Sequence, residues 1–242
     1  MKGVFHIKYK IIILVISSLI ISFFALLIYF NNKDLVVTNH VKIALLDSGL
    51  SKKNSSEAIV ISSGKSTDTH ADVMLKAMLS KIDKNNQKKV TIFDYPVTSS
   101  GTNISEKKVL IALQKAIEQD VDIINMSFGF KKDIPELKKL VNQAKKKNIK
   151  IIAASGNTYG FYTSYPAKYN SVISIGSEEK NKIANYSAVE DIDYFLKGSF
   201  KNEKNHGTSI STAYFTGIST NNLLNGERNY SKEVKEKRNL ID

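Results

Sequence analysis

The chain of 242 residues contains no cysteine and no tryptophan. Without cysteine, neither disulfide bonds nor thiolate metal sites need be considered. A cysteine-free chain fits an exported protein and a cytosolic protein equally well, so other features must decide the compartment. Its length is sufficient for a single domain with a full hydrophobic core, in addition to an N-terminal segment of about 30 residues that is mostly apolar.

Negative charge is scarce relative to positive charge, and the formal net charge is +12 at pH 7. The lysines are scattered, and their densest run, Lys145–Lys147, closes a predicted helix, where cations suit the helix dipole. A nucleic-acid surface would need a basic stripe with interleaved aromatic residues, which the sequence lacks, so no nucleic-acid partner is predicted. The charge favours attraction to an anionic envelope surface or to an acidic peptide.

Charge is absent from one long apolar run, Ile11 to Phe30. Twenty helical residues span the roughly 30 Å hydrocarbon core of a bilayer. Three lysines precede the run, whereas Lys33 after it is balanced by Asp34, so the N-terminus is expected in the cytoplasm. A cleaved signal peptide is the alternative, but no Ala-x-Ala-like site ends the run. The pattern therefore favours an uncleaved single-pass anchor in the cell membrane, with a cytoplasmic segment 1–10, a transmembrane segment 11–30, a linker 31–40 and an extracellular domain 41–242.

Beyond residue 40, short apolar strands alternate with amphipathic helices. The predicted strands are Val41–Leu46, Ala58–Ile61, Val90–Phe93, Val121–Met126, Ile149–Ala154 and Val172–Ile175. The predicted helices begin at His70, at Ser105, near Pro135 and at Thr208–Ser209. Fully apolar strands that alternate with helices predict an α/β fold, a mostly parallel doubly wound sheet with helices on both faces.

The strand ends collect polar residues at one edge of this predicted sheet. Asp47, Ser127 and Asn157 each follow a strand, whereas His70 and Ser209 begin helices. A serine at a helix start presents its hydroxyl beside an unpaired main-chain N–H, which suits a nucleophile with part of an oxyanion hole. Each residue also has an ordinary explanation: an Asp-Ser-Gly turn, a solvated histidine, or a serine that only caps its helix.

The order Asp, His, Ser along the chain is one of three known orders of the same catalytic triad, and subtilisin is the standard example. Five motifs are arranged around these residues over about residues 41–219: Asp47-Ser48-Gly49, Ile124–Gly129, Ala153–Asn157, Tyr165-Pro166-Ala167 with Val172–Gly176, and Gly207–Thr212. In sequence and in order, they resemble the motifs of the subtilisin-like serine proteases, or subtilases.

The resemblance implies a peptide-bond hydrolase. Ser209 would be the nucleophile, His70 the base and Asp47 its partner, while Asn157 would donate to the oxyanion. The substrate backbone would pair with Ser127, Phe128 and Gly129. By the same resemblance, the remaining substrate-binding residues are Ala154, Ser155, Gly156 and Thr208, with Ser164 near the floor of the side-chain pocket.

No cofactor and no metal are expected. The acidic residues Glu190, Asp191 and Asp193 are too few and too local to resemble the calcium sites of the family. The ten residues of the linker would leave no room for an inhibitory prosegment, which suggests a dedicated processor of a small peptide precursor, such as a lanthipeptide-type leader. This substrate class is an analogy within the family.

Two positions depart from the family pattern. The histidine motif His-Gly-Thr is His70-Ala71-Asp72 here, and Ala213 stands where a proline usually closes the nucleophile motif. Alanine at that position only restores a main-chain N–H, so we expect little chemical cost. The altered histidine motif keeps a second hypothesis open, a subtilase-shaped binding or regulatory module without catalytic activity.

Overall fold

The computed structural model describes residues 39–51, 58–62, 70–98, 103–200 and 205–227, together with positions 16, 17, 20, 22 and 23. The chain divides into two compact units, Met1–Val37 and Thr38–Asp242. Most of the predicted anchor at 11–30 lies outside the described residues, and its described positions are helical. Within the described part of the chain, no helix combines the length and the apolar character that crossing a bilayer requires.

The second unit contains ten strands and five helices among the residues that the structure describes. The strands are β1 (Val41–Asp47), β2 (Ile59–Ser62), β3 (Val90–Pro96), β4 (Ile123–Met126), β5 (Lys150–Ala154), β6 (Ile173–Glu179), β7 (Lys182–Ile183), β8 (Tyr194–Lys197), β9 (Ser199–Phe200) and β10 (Asn205–His206). The helices are α1 (His70–Leu79), α2 (Lys84–Gln87), α3 (Glu106–Glu118), α4 (Pro135–Lys146) and α5 (Thr208–Asn225).

Eight strands form one sheet in the order β2-β3-β1-β4-β5-β6-β7, with β8 also paired to β6. All pairs in it are parallel except β6 with β7, while β9 and β10 form a separate antiparallel pair. Because the first strand lies inside the sheet, the chain winds outward in both directions from β1. The ends of β1, β4 and β5 therefore meet at one edge.

The alternation of side chains along β1 separates two hydrophobic cores. One face carries Val41, Ile43 and Leu45, which pack with α1 and α5 through Met74, Met78, Phe215 and Ile218. The other face carries Ala44 and Leu46, which pack with α3 and α4 through Leu113, Ile117, Leu137 and Val141. The predicted α/β fold with a mostly parallel sheet covered on both faces is confirmed.

The close packing of α1 on α5 depends on a glycine. A Cβ atom built at Gly217 would collide with the main-chain carbonyl oxygen of Met78 and would lie 2.9 Å from Lys81 Cβ. Because main-chain atoms cannot move aside as a side chain does, only glycine lets the two helices approach this closely. This contact holds α5, whose first turn contains Ser209, against α1, which begins at His70.

The elements differ from the expected ones mainly after β5. Strands β7 to β10 were not predicted, because they are only two to four residues long and carry no clear alternation. The fourth strand begins at Ile123 instead of Val121, because Asp120 adopts a left-handed conformation (φ 51°) and the chain is still turning there. As predicted, α4 has its proline in the first turn.

Candidate active site

Asp47 is the last residue of β1, and His70 is the first residue of α1. His70 Nδ1 lies 2.7 Å from Asp47 Oδ1, although the two residues are 23 positions apart in sequence. The same oxygen accepts the main-chain N–H of Ser48, also at 2.7 Å. The two residues predicted as base and acid are therefore in direct hydrogen-bonding contact.

The two members of this pair differ sharply in their exposure to solvent. The side chain of Asp47 is 3 % exposed and that of His70 is 43 % exposed. The second carboxylate oxygen, Asp47 Oδ2, is buried and has no hydrogen-bond partner among the described residues. An unpaired buried oxygen costs stability, and such costs are concentrated at functional sites.

Ser209 occupies the first turn of α5, directly after the cap residue Gly207 and Thr208. Its side chain is half-buried, and Ser209 Oγ donates to the main-chain oxygen of Ser127 at 2.7 Å. The single hydroxyl proton of Ser209 is therefore engaged by the segment that follows β4. The predicted nucleophile and the predicted substrate-binding segment are in contact.

Ser127 also contacts the main chain of Ser209 through its own hydroxyl. Ser127 Oγ lies 3.3 Å from the oxygen of Ser209 and 3.1 Å from Asn125 Oδ1. Asn125, which is fully buried, in turn donates through Nδ2 to Thr216 Oγ1 at 2.8 Å. These contacts connect β4 with α5 by polar groups inside an otherwise apolar interior.

The side-chain amide of Asn157 has a defined orientation. Its Oδ1 accepts the main-chain N–H of Thr208 at 2.9 Å and the hydroxyl of Thr208 at 3.1 Å. Because a main-chain N–H can only donate, the oxygen must face Thr208, and the amide NH₂ is directed away from it. A Cβ atom at Gly207 would lie 2.8 Å from Asn157 Nδ2, so a larger residue at this position would displace that amide.

Ser164 lies in contact with two of the predicted substrate-binding segments, the one at Gly129 and the one at Ser155 and Gly156. The main-chain N–H of Ser164 donates to the oxygen of Ser155 at 2.8 Å, and Tyr165 exchanges main-chain hydrogen bonds with Phe130. Cβ atoms built at Gly129 and Gly156 would both collide with the Ser164 side chain. The side chains of Ala154, Ser155, Ser164 and Thr208 are buried, whereas Phe128 is half-buried and Gly129 exposed.

An aromatic pair lies next to the nucleophile's segment. The rings of Tyr186 and His206 are 5.4 Å apart, and His206 precedes Gly207 directly. Burial, with the nearby carboxylate of Glu179, raises the pKa of Tyr186 to about 12. Both residues border an open cavity of about 640 Å³ that also includes Glu178, Lys197 and Ser199.

A sequence profile of the subtilase family matches residues 85–221, more than half of the chain. The chain belongs to the subtilase family. The matched range contains Ser127, Asn157 and Ser209, whereas it begins after Asp47 and His70. The assignment of these last two residues as the acid and the base therefore depends on the contact between them.

Curated relatives of this subtilase include two from bacilli. It is 34 % identical over 126 residues to the major intracellular serine protease of Bacillus subtilis (strain 168), covering 45 % of this chain and 39 % of that protein. It is 26 % identical over 167 residues to subtilisin DY of Bacillus licheniformis, covering 62 % of this chain and 61 % of the relative. The chain thus spans less than two thirds of the length of either relative.

Solved structures show the same fold. The prenylagaramide maturation protease PagA superposes with a TM-score of 0.65 at 20 % sequence identity, covering 80 % of each chain. A lanthipeptide protease superposes with a TM-score of 0.64 at 20 % identity, covering 80 % of this chain and 78 % of the other. Agreement at this level of identity establishes the architecture described above.

Some polar residues around the site were not predicted from the sequence. Asn125 interrupts an apolar strand, and a buried amide in such a strand requires partners, which was the available signal. Three threonines of α5 each donate to the carbonyl four residues earlier, and their spacing of four places them on one helix face: Thr212, Thr216 and Thr220.

Proposed function

We propose that this subtilase is a serine endopeptidase that uses Ser209, His70 and Asp47. The observation that carries the proposal is the 2.7 Å contact between His70 Nδ1 and Asp47 Oδ1. A carboxylate can only accept, so Nδ1 carries the proton, and Nε2 keeps the lone pair that a general base needs. The family match over residues 85–221 supports Ser209 as the nucleophile of the same site.

The proposed reaction is acyl transfer to Ser209. His70 takes the hydroxyl proton through Nε2 while Ser209 Oγ attacks the peptide carbonyl, and Asp47 stabilises the resulting imidazolium. The amide of Asn157 and the main-chain N–H of Ser209 would donate to the oxyanion. The protonated His70 then gives its proton to the leaving amine, and water hydrolyses the acyl group by the same steps.

The described conformation of Ser209 requires one rearrangement before this reaction. Its hydroxyl proton is held by the carbonyl oxygen of Ser127 at 2.7 Å. For transfer to His70, the hydroxyl proton must leave that acceptor and turn toward Nε2, by rotation about the Cβ–Oγ bond or about the Cα–Cβ bond. A rotation between staggered side-chain conformations of a half-buried serine is a small step compared with bond cleavage.

As substrate we propose a peptide precursor, for example one with a lanthipeptide-type leader. Two of the matched structures are named as a maturation protease and a lanthipeptide protease. The net charge of +12 would attract an acidic leader.

We further propose that residues 11–30 anchor the protein in the cell membrane with the peptidase domain outside, because positive charge precedes the apolar run.

A fluorophosphonate probe tests the catalytic proposal. The full chain should be labelled, Ser209→Ala should not be labelled, and Ser171→Ala, which alters a half-buried serine that bonds Asn142 on the surface, should be labelled like the wild type. Absence of labelling of the folded wild type at every pH would instead favour the binding or regulatory module.

Sequencing the peptides that the protein releases from a random pool of peptide substrates identifies the cleavage preference.

Shaving of intact cells with an added protease tests the topology. The domain 41–242 should be removed from cells that express the full chain. A cytosolic protein serves as the control for cell integrity. Protection of the domain under these conditions would reverse the proposed orientation.

A further inference from the structure

The segment Asp47–Ser51 (the acid loop), which begins at the last residue of β1, is bound to the first turn of α1 by three contacts. His70 meets Asp47, the main-chain N–H of Ala71 donates to Ser48 Oγ at 3.1 Å, and Asp72 Oδ1 accepts the main-chain N–H of Ser51 at 3.2 Å. Three consecutive residues of the helix thus each hold the loop that carries the proposed acid.

Carboxylates satisfy several main-chain donors of the acid loop. Ser48 donates to Asp47 itself, Leu50 donates to Asp94 Oδ2 at 3.1 Å, and Ser51 donates to Asp72. The side chains of Asp72 and Asp94 are 8 % and 1 % exposed, so water competes weakly for these bonds. Hydrogen bonds from N–H groups to a carboxylate are stronger than those to neutral acceptors.

We propose that Asp72 is a positioning residue, which holds the acid loop and α1 in the register that His70 and Asp47 need. The inference depends on the proposed function. A shift of about 1 Å between reacting groups can cost roughly a hundred-fold in rate. The bond between Asp72 and Ser51 joins α1 to the acid loop, so its loss should slow proton transfer between the groups they carry. Asp72 stands where the histidine motif of the family usually has threonine. In this chain the aspartate at that position accepts the main-chain N–H of Ser51 and so binds the acid loop.

The Asp122 carboxylate offers a matched control. Its Oδ2 accepts the main-chain N–H of Lys42 at 2.7 Å, and Lys42 lies near the start of the same strand, β1. Lys42 lies five positions before Asp47, about 16 Å along an extended strand. Asp122→Ala therefore removes the same type of bond at the opposite edge of the sheet.

The rate of fluorophosphonate labelling of the full chain in detergent micelles tests the proposal. Asp72→Ala and Asp72→Ser should lower the maximal labelling rate about ten- to a hundred-fold, with the half-saturating probe concentration nearly unchanged. Asp72→Asn retains an acceptor oxygen and should stay within about three-fold of the wild type. Asp122→Ala should label at the wild-type rate.

The extent of labelling separates a positioning role from loss of folding. A variant that merely unfolds reduces the labelled fraction, whereas the folded remainder reacts at the wild-type rate. Wild-type rates in both Asp72→Ala and Asp72→Ser, or an Asp72→Asn variant as slow as them, would overturn the positioning role alone. If the wild type itself is not labelled, the proposed function fails, and the positioning role fails with it.

Discussion

Ser127 and Ser209 are joined in both directions, although they are 82 positions apart in sequence. Ser209 Oγ donates to the main-chain oxygen of Ser127 at 2.7 Å, and Ser127 Oγ lies 3.3 Å from the main-chain oxygen of Ser209. Ser127, directly after β4, therefore fixes both the side chain and the main chain of the proposed nucleophile. In this conformation the hydroxyl is oriented by the segment proposed to bind the substrate.

Ser127→Ala should destabilise the protein by about 1–2 kcal/mol, because it removes a donor from the fully buried Asn125. We also expect a lower kcat, since the main chain of Ser209 loses a contact. Ser171→Ala removes a hydroxyl that bonds Asn142 Oδ1 at the same distance, 3.1 Å, but on the exposed surface. Chemical denaturation should show a change below about 0.5 kcal/mol for this control. Equal losses in the two variants would contradict the role of burial.

Gly207→Ala should lower kcat through Asn157. The position has φ 144° and its Cβ would lie 2.8 Å from Asn157 Nδ2, so alanine displaces the amide proposed for the oxyanion. Backbone strain should also cost about 1–3 kcal/mol. Loss of such an amide donor lowers turnover about a hundred- to a thousand-fold, a range established on subtilisin itself.

Gly160→Ala is the control for strain at position 207. Gly160 has φ 81°, and among the described residues its Cβ would meet only methyl groups of Val189, at 3.9 and 4.0 Å. This variant should lose stability with little change in kcat per folded molecule. If both variants lose kcat equally, strain and not the contact with Asn157 is the cause.

Gly217→Ala should destabilise the domain by about 2–3 kcal/mol, since the added methyl meets the carbonyl of Met78 across the α1–α5 contact. Ser219→Ala on the same helix should have a neutral or stabilising effect. The hydroxyl of Ser219 is buried and has no hydrogen-bond partner within the described part of the chain, so its removal deletes an unsatisfied group. Thermal unfolding of the two variants should therefore shift in different directions or by clearly different amounts.

Tyr186→Phe should make the domain less sensitive to alkaline pH. The pKa of Tyr186 is raised from 10.0 to about 12 by burial, with a contribution from Glu179 and Glu178. The folded state therefore holds this proton more tightly than the unfolded chain, and the corresponding stability is present below pH 10 and lost as the pH rises toward 12.

Urea unfolding from pH 9 to pH 12 measures this effect of Tyr186. The wild type should lose more stability than Tyr186→Phe over this range. The pKa values of Tyr95 and Tyr169 are raised in the same direction, so the difference between the two proteins isolates Tyr186. Parallel curves would show that ionisation of Tyr186 is not linked to unfolding.

The sequence by itself determined the architecture and the candidates for the site. Apolar strands that alternate with amphipathic helices indicated a parallel sheet, and its strand ends identified Asp47 and Asn157 as residues of one edge. Helix starts identified His70 and Ser209. These features are local, because periodicity and strand ends can be recognised within about ten residues. The short strands β7 to β10 lack such a period and were therefore missed.

Only the tertiary structure decided which polar atoms meet. The strand order places β1 between β3 and β4, and this order brings Ser127 to Ser209 and Asp94 to the acid loop. Whether a buried hydroxyl or carboxylate faces a main-chain donor depends on positions fixed to within a few tenths of an ångström. No pattern of residues carries that information, because the contacts join segments far apart in the chain. The role proposed for Asp72 therefore followed from its contact with Ser51 and not from its motif.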